Sequence, residues 1–492
     1  MIFVFLSSIL TALSMPGFFW GGLVWFSLIP LFSGLEKKSY WLKVLYIFLF
    51  FYTFFFISLY WVIPVLTKNL PEFFGRFNSI VGFGAFLLLC LLETLPFLLF
   101  AVLYAYFIPR IKNNIPKALF VASIYSISDF IRGIGDLGFT GGRLSDALFK
   151  DIGIIQSVAF IGTIGLTFLI VLVNYLLYLN FKNLNKFVPI MFLTISSIYL
   201  INNFILNVLP TNKANIPIVA VQTNYDQHVK YSITNQKILE DIEQILKSTP
   251  NYLHVFPEAT FPTSDIRNTN INEFFKNISY KKPIIIGFPT YDDDGKIYNS
   301  AVVYSNGKYI GKYDKIRLFP FVEFLPYEKI FKTFSFLKGV SYFNEGKSFK
   351  IFEINNFPHT GIQICFESYF GEISRNLTNQ GAEILFVITN DGWYKYNTAL
   401  WQHFSKSIFR AVENRRYVVQ VSNKGITGVV DYFGRINQII PLRSENYAIF
   451  NIKAENKTTI YSKYGDWFIY IALICSFIIP IVYRNKPSKK FF

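Results

Sequence analysis

Thiols are almost missing from this chain. Its 492 residues include three cysteines, four histidines and three methionines, and only 16% of them are charged. So few cysteines exclude a disulfide-stapled scaffold. The histidines at 228, 254, 359 and 403 lack metal-ligand spacing, and no CxxC, P-loop or dinucleotide fingerprint is evident. The sequence therefore predicts no metal and no cofactor. Acidic residues are outnumbered, 31 against 47 Lys plus Arg, for a net charge of +16. No basic stripe with interleaved aromatics goes with that excess, which sets nucleic acid aside as a partner.

Apolar residues are what the chain has in abundance: 52% of it is hydrophobic and 19% aromatic, with 56 phenylalanines. Several stretches stay uncharged for the roughly 20 residues a helix needs to cross a bilayer. Eight spans are predicted, at about 2–14, 18–34, 44–66, 80–107, 117–133, 153–179, 187–209 and 466–483. Residues 1–34 carry no charge, and "MPG" at 15–17 supplies a turn between two short helices. A cleaved signal peptide would want basic residues before its apolar core, and "MIFVFLSS" has none.

Basic residues sort the loops. Lys37, Lys38, Lys43, Arg110, Lys112, Lys117, Lys182, Lys186, Arg484, Lys486, Lys489 and Lys490 fall in one alternating set. The other short loops hold only Lys68, Arg76, Arg132, Arg143 and Lys150. The positive-inside rule then predicts cytoplasmic termini, with the 67–80 and 133–152 loops and the long polar segment outside. Much of the net charge would lie against anionic lipid. Glu93, Asp129 and Arg132 sit inside predicted spans, where charges are costly and often functional. The i,i+3 spacing of Asp129 and Arg132 favours mutual neutralisation. Glu93 is left open.

Residues 213–456 differ in kind. Runs rich in Val and Ile at 216–223, 252–258, 282–290, 300–305, 360–367, 383–391 and 416–423 read as strands, and 233–247, 369–379 and 401–415 as helices. This predicts an α/β layer fold. The domain division is 1–212 for the first seven spans, 213–456 for the α/β domain, and 457–492 for the last span and tail. Long connections at 313–347 and 391–401 carry aromatics and charges, as functional loops do.

The α/β domain holds a single cysteine, Cys365, so no disulfide can form within it. A buried structural thiol is the bland reading. Its company argues for chemistry. "HVFPEAT" ends a strand with Glu258, "GKYDKIRLFPFVEFLP" carries Lys315 and Glu323, and "GIQICFES" delivers Cys365 with Glu367 two residues on. A thiol is nucleophilic as thiolate, and little of an unperturbed one is ionised near pH 7. A poorly solvated carboxylate can take its proton. An ammonium favours the thiolate and can hold an oxyanion. Glu, Lys and Cys together can run acyl transfer without histidine.

That set resembles the nitrilase superfamily of carbon–nitrogen hydrolases, whose triad is Glu, Lys and Cys in this chain order. "TNDGWYKYNTALWQHFSKSIFRAVENRRYVVQVSNKGITGVVDYFGRI" at 389–436 is similar to the long nitrilase segment in which an Asn-Asp-Gly-Trp turn precedes a helix. With the apolar frame, "KIRLFPFVEFLP" at the lysine and "GTIGLTFLIVLVN" at 162–174, essentially the whole chain resembles the apolipoprotein N-acyltransferases. It departs from them at Val322, where the family often has Gly, and at Phe366, where it often has Tyr. "FTGGRLSDAL" at 139–148 replaces a Pro-Trp loop, and Tyr231 in "HVKYS" stands where the family has Trp.

The resemblance implies a polytopic α-helical membrane domain of about eight transmembrane helices plus a nitrilase-like αββα sandwich. It implies Cys365 as nucleophile, Glu258 as general base and Lys315 as oxyanion and thiolate partner. Glu323 would position Lys315 or a substrate, and Glu367 would support the cysteine loop. The acyl donor would be a membrane phospholipid and the acceptor a diacylglyceryl apolipoprotein. The enzyme would act as a monomer in the bacterial inner membrane, with its catalytic domain on the outer face. Trp393, Tyr394, Phe319 and Phe321 either form an apolar mouth or pack the domain core, and Tyr231 is a further candidate for substrate contact. His403 reads as a packing or substrate-loop residue rather than a base. The alternatives are a membrane-tethered amidase using water as acceptor, or an inactive lipoprotein-binding module.

Overall fold

Uncharged apolar runs fold as helices before residue 210 and again at Phe468–Val482 in the computed structural model, which describes residues 1–484 apart from 76, 182–183, 211–212, 263–265 and 334–342. Arg76, Lys182, Lys486, Lys489 and Lys490, used above to sort the loops, lie outside the described residues, as does part of the 313–347 connection. The chain forms two compact units, one of Met1–Lys68, Asn78–Pro210 and Tyr464–Phe492, the other of Asn69–Phe77 and Thr211–Lys463.

The first unit is helical, and the expectation of eight spans is corrected there. Among the described residues three helices are long and apolar enough to cross a membrane: Tyr40–Ser58, Val158–Tyr178 and Asn185–Val208. A fourth follows if the pair Ser79–Thr94 and Phe97–Arg110, bent by 45°, counts as one span. Pro96 stands at that bend, where it cannot donate to the preceding turn. Ile2–Ser14 and Phe468–Val482, at 13 and 15 residues, fall short of the required length. Residues 18–34 break into Gly21–Trp25 and Ile29–Leu35. Asn114–Arg132 contains Lys117, Asp129 and Arg132. Between the first two segments Gly17 takes a φ of 80°, the left-handed turn that "MPG" implied.

The charges expected inside spans form one network. Arg132 donates to Glu93 Oε2 at 2.9 Å, to Asp129 Oδ1 at 2.9 Å and to the Gly141 carbonyl at 2.8 Å. Arg143 Nε lies 3.3 Å from Asp129 Oδ2, and its Nη1 donates to Thr163. Two acids thus meet two guanidinium groups, all buried. This answers the question of Glu93: it is an ion-pair partner that ties one helix of the bent pair to Asn114–Arg132.

Among its described residues the second unit has twelve strands: β1 (Ile216–Gln222), β2 (Leu253–Val255), β3 (Ile284–Tyr291), β4 (Ile297–Ser305), β5 (Lys308–Asp314), β6 (Ile351–Phe352), β7 (Thr360–Ile364), β8 (Ile384–Thr389), β9 (Tyr417–Ser422), β10 (Gly428–Val430), β11 (Ile436–Ile439) and β12 (Asn446–Ile452). They make two six-stranded sheets, ordered β12-β1-β2-β3-β4-β5 and β11-β10-β9-β8-β7-β6. Side chains alternate as a pleat demands. Ile218 and Ala220 of β1 join Ile362, Ile364, Phe386 and Val419 in a core between the sheets. Val219 and Val221 face the other way, onto Ile238, Ile242, Ile271 and Phe275 of helices Asn235–Ser248 and Thr269–Ser279. Helices Gly371–Asn379 and Asn397–Asn414 pack on the second sheet. The layers are helix, sheet, sheet, helix.

Lys230, at the end of the short helix Gln227–Lys230, is fully buried. Its Nζ donates to the main-chain carbonyl of Glu258 at 3.4 Å. Burial pulls its pKa from 10.5 down to about 7, against the opposing pull of Glu258.

Two outcomes follow. Arg132→Met strands Glu93 in a buried site, leaves Asp129 only its Arg143 contact, and lowers stability by about 3–5 kcal/mol, read as a fall in unfolding temperature in detergent; an unchanged midpoint would refute the pairing. For Lys230 the unfolded chain holds a proton that the folded chain has lost between pH 7 and 10.5, so this residue adds stability as pH rises through that window. The slope is at most about 1.4 kcal/mol per pH unit. Denaturation of Lys230→Met at pH 7 to 10 is expected to show that slope removed.

Candidate active site

Parallel pairing aligns the ends of successive strands, and the polar groups collect there. β1, β2 and β3 run parallel, as do β7, β8 and β9. Residues just past the carboxyl ends of such strands are the usual place for a ligand in open α/β sheets. Glu258 follows β2, Lys315 follows β5, Cys365 follows β7, and Asn390 with Asp391 follows β8.

Lys315 lies at the centre. It is 1% exposed, and its Nζ donates to Glu323 Oε1 at 2.9 Å and to Glu258 Oε1 at 3.4 Å. Burial works against its charge, but Glu323 and then Glu258 outweigh that and hold the ammonium above its ordinary range. Asn299 on β4 donates to both acids from Nδ2, at 2.7 Å to Glu258 and 2.8 Å to Glu323. Glu258 Oε2 accepts the Asn390 N–H at 2.9 Å, and Glu323 Oε2 accepts the Phe319 N–H at 2.6 Å. The two carboxylates are therefore immobilised on both oxygens.

Cys365 is partly buried and takes φ 51°, the left-handed region that costs a side-chain-bearing residue about 1–3 kcal/mol. Burial pushes its thiol well above the usual range, the Glu258 carboxylate pushes it further, and Lys315 opposes them. The resting group is a neutral thiol beside a carboxylate and an ammonium. Such a set can deprotonate a sulfur only when an acceptor takes the proton.

Glu367, two residues past Cys365, is fully buried. Oε2 accepts the Ile364 N–H at 2.8 Å. Oε1 accepts from Ile316 N at 2.7 Å, Arg317 N at 3.1 Å and the Tyr313 hydroxyl at 2.8 Å. It joins the cysteine loop to the lysine loop. Burial raises its carboxyl to about 7, against those hydrogen bonds.

The aromatic candidates separate. The Phe319 ring meets Phe366, the residue after the cysteine, at 4.8 Å. Burial holds the Tyr394 hydroxyl well above its range. Tyr231 is 39% exposed, and burial with Glu258 raises its phenol to about 12. Phe321 packs on Phe331 at 5.1 Å, and the Trp393 carbonyl accepts from Asn69 Nδ2 at 2.7 Å.

Sequence reasoning missed Asn299, Asn390 and Lys230. Asn299 was detectable as an amide in the otherwise apolar "IYNSAVV", and Asn390 lay in a segment read only as a turn. Among the described residues one group carries metal-type donors, Cys365, Asp391 and His403, with ligand atoms within 4.8 Å of one another. His403 Nδ1 is already bonded to Asp391 Oδ1 at 2.7 Å, and the Lys315 cation acts on the same sulfur, so the set opposes a further positive charge.

Comparison with known proteins covers nearly the whole chain. Residues 221–457 match the carbon-nitrogen hydrolase family, and residues 7–176 match the apolipoprotein N-acyltransferase N-terminal domain. The apolipoprotein N-acyltransferase of Thermotoga maritima is 42% identical over 98% of this chain and 94% of its own. That of Aquifex aeolicus is 28% identical over 87% of this chain and 94% of its own. Among solved structures, Nit3 of Saccharomyces cerevisiae, a member of branch 10 of the nitrilase superfamily, is 21% identical, with a TM-score of 0.37 over 49% of this chain and 93% of its own. The chain belongs to the apolipoprotein N-acyltransferase family.

Proposed function

We propose that this chain moves an acyl group from a membrane phospholipid to the α-amino group of the S-diacylglyceryl-cysteine that begins an apolipoprotein, through a thioester on Cys365. The observation that carries the reading is the convergence of Glu258, Lys315 and Cys365 from three distant stretches of sequence.

Glu258 accepts the thiol proton, and the sulfur attacks the ester carbonyl carbon. The negative charge that develops on the carbonyl oxygen is met by Lys315. The C–O bond breaks, and Glu258 returns the proton to the departing lysophospholipid hydroxyl. The acceptor amine then attacks the thioester. Glu258 takes the amine's proton, the C–S bond breaks, and the proton passes back to sulfur. Glu323 holds Lys315 in place throughout, and Glu367 fixes the loop that presents the nucleophile.

Both substrates carry acyl chains that cost about 0.8 kcal/mol per CH₂ to expose to water. A multi-pass frame with the site at the outer leaflet keeps those chains in lipid. Basic residues concentrated in one set of loops support that orientation. The segment Asn69–Phe77, read as part of an outward loop, belongs to the same compact unit as the catalytic groups. Tyr394 and Phe319 stand beside the nucleophile, where they shield a thioester from water. One chain supplies every reacting group, so a monomer suffices.

The test uses protein purified in detergent and a phospholipid with a labelled acyl chain. Mass spectrometry is expected to find the label as a thioester on Cys365 and, after a diacylglyceryl lipopeptide is added, as an amide on its N-terminus. Cys365→Ser is expected to form no thioester, and Glu258→Gln to slow its formation by about 10²–10⁴-fold. Label released only to water would replace this reading with a hydrolase.

A further inference from the structure

The left-handed turn at Cys365 is gripped from one side by a single helix. His403, on Asn397–Asn414, is 3% exposed. Its Nε2 lies 3.2 Å from the main-chain carbonyl oxygen of Cys365 and 3.1 Å from Ser368 Oγ, and its Nδ1 lies 2.7 Å from Asp391 Oδ1. Asp391 is itself anchored by the hydroxyls of Thr389 at 3.0 Å and Ser422 at 3.1 Å. Two helical turns on, Arg410 donates to the carbonyls of Ser368 and Tyr369, both at 3.1 Å, while Glu413 holds its other nitrogens. The imidazole also stacks on Tyr369, with ring centres 5.5 Å apart.

We propose that the Asp391–His403 pair is a positioning device for the nucleophile: an imidazolium that donates at once to the Asp391 carboxylate and to the Cys365 carbonyl holds the backbone from which the sulfur is aimed. The inference rests on Cys365 being the acylated residue. The donor count argues for it. A neutral ring bearing its proton on Nδ1 turns a lone pair toward the Cys365 carbonyl. One bearing it on Nε2 turns a lone pair toward the carboxylate. In the first case the Ser368 hydroxyl, 3.1 Å away, can donate to Nε2 instead, but only the doubly protonated ring donates to the carboxylate and the Cys365 carbonyl together.

The surrounding charges agree in sum. Asp391 and, more remotely, Glu258 favour the cation, and against burial they hold His403 above its ordinary range. Lys406, whose ammonium lies 5.2 Å from the centre of the Tyr369 ring, and Arg410 are the cations on the same helix. The thiol of Cys365 is neutral at rest. His403 touches no reacting atom in this account, and it acts only through the carbonyl it holds.

The test compares wild type, His403→Gln and His403→Ala, with Asp391→Asn as an independent change, at a temperature well below each melting point. Single-turnover acylation of Cys365 by labelled phospholipid is measured with the KM for that lipid. The alanine variant is expected to acylate about 10²-fold more slowly with KM unchanged. Glutamine, which restores one neutral donor, is expected to recover part of that loss, and Asp391→Asn to fall between them. Equal acylation rates in wild type and all variants would overturn the inference while leaving the thioester mechanism intact. A slowing that merely follows the melting temperature, with no recovery by glutamine, would overturn it too. Absence of any thioester in the wild type would remove the function on which it rests.

Discussion

A lysine ammonium that is 1% exposed survives only because two carboxylates meet it. Removing one charge from water costs several kcal/mol, and close, well-bonded partners must offset that cost. The rest of the α/β unit can be read as the apparatus that keeps these partners still. Asn299 bridges the acids, the Asn390 amide fixes one of them and the Phe319 amide fixes the other. Each of these donors sits on a strand or just past a strand end, where a rigid sheet sets its position. The cluster holds two negative charges and one positive. Its net negative field helps explain why the neighbouring sulfur keeps its proton at rest.

The same logic of buried charge recurs in the helical unit with a different outcome. There two acids face two guanidinium groups. Balanced charge with its hydrogen bonds largely filled is a means of fixing helices where the hydrophobic effect gives little guidance. Excess charge next to a nucleophile is a means of moving protons. Location and imbalance separate the structural cluster from the chemical one.

Sequence reading found what periodicity and composition encode. All seven predicted strands exist, because buried strands carry runs of apolar, mostly β-branched residues such as "ILFVI" and "YVV". Of the five strands it missed, four are the sheet edges. β5 reads "KYIGKYD" and β11 reads "INQI", polar enough to resemble loops, because an edge strand has to discourage further pairing. The helix Thr269–Ser279 was missed because its apolar face is only Ile271, Phe274, Phe275 and Ile278. The count of membrane-crossing helices was overread because lack of charge was taken for length, whereas Pro96 and the short segments before residue 35 divide the apolar runs. Glu258, Lys315 and Cys365 were legible through their order and flanks. Asn299 and His403 were not, since their roles arise only when separate strands and a helix bring them beside those residues.

The first and last strands of the sandwich are register partners, Ile216 opposite Ile452, in an antiparallel ladder that runs to Gln222 and Asn446. The chain thus enters and leaves this domain through adjacent points on one sheet. To the helices on either side in sequence, Leu184–Val208 and Phe468–Val482, an enzyme of more than two hundred residues presents the tether of an ordinary hairpin. An α/β domain whose two chain ends lie side by side can be inserted into another chain through a short tether.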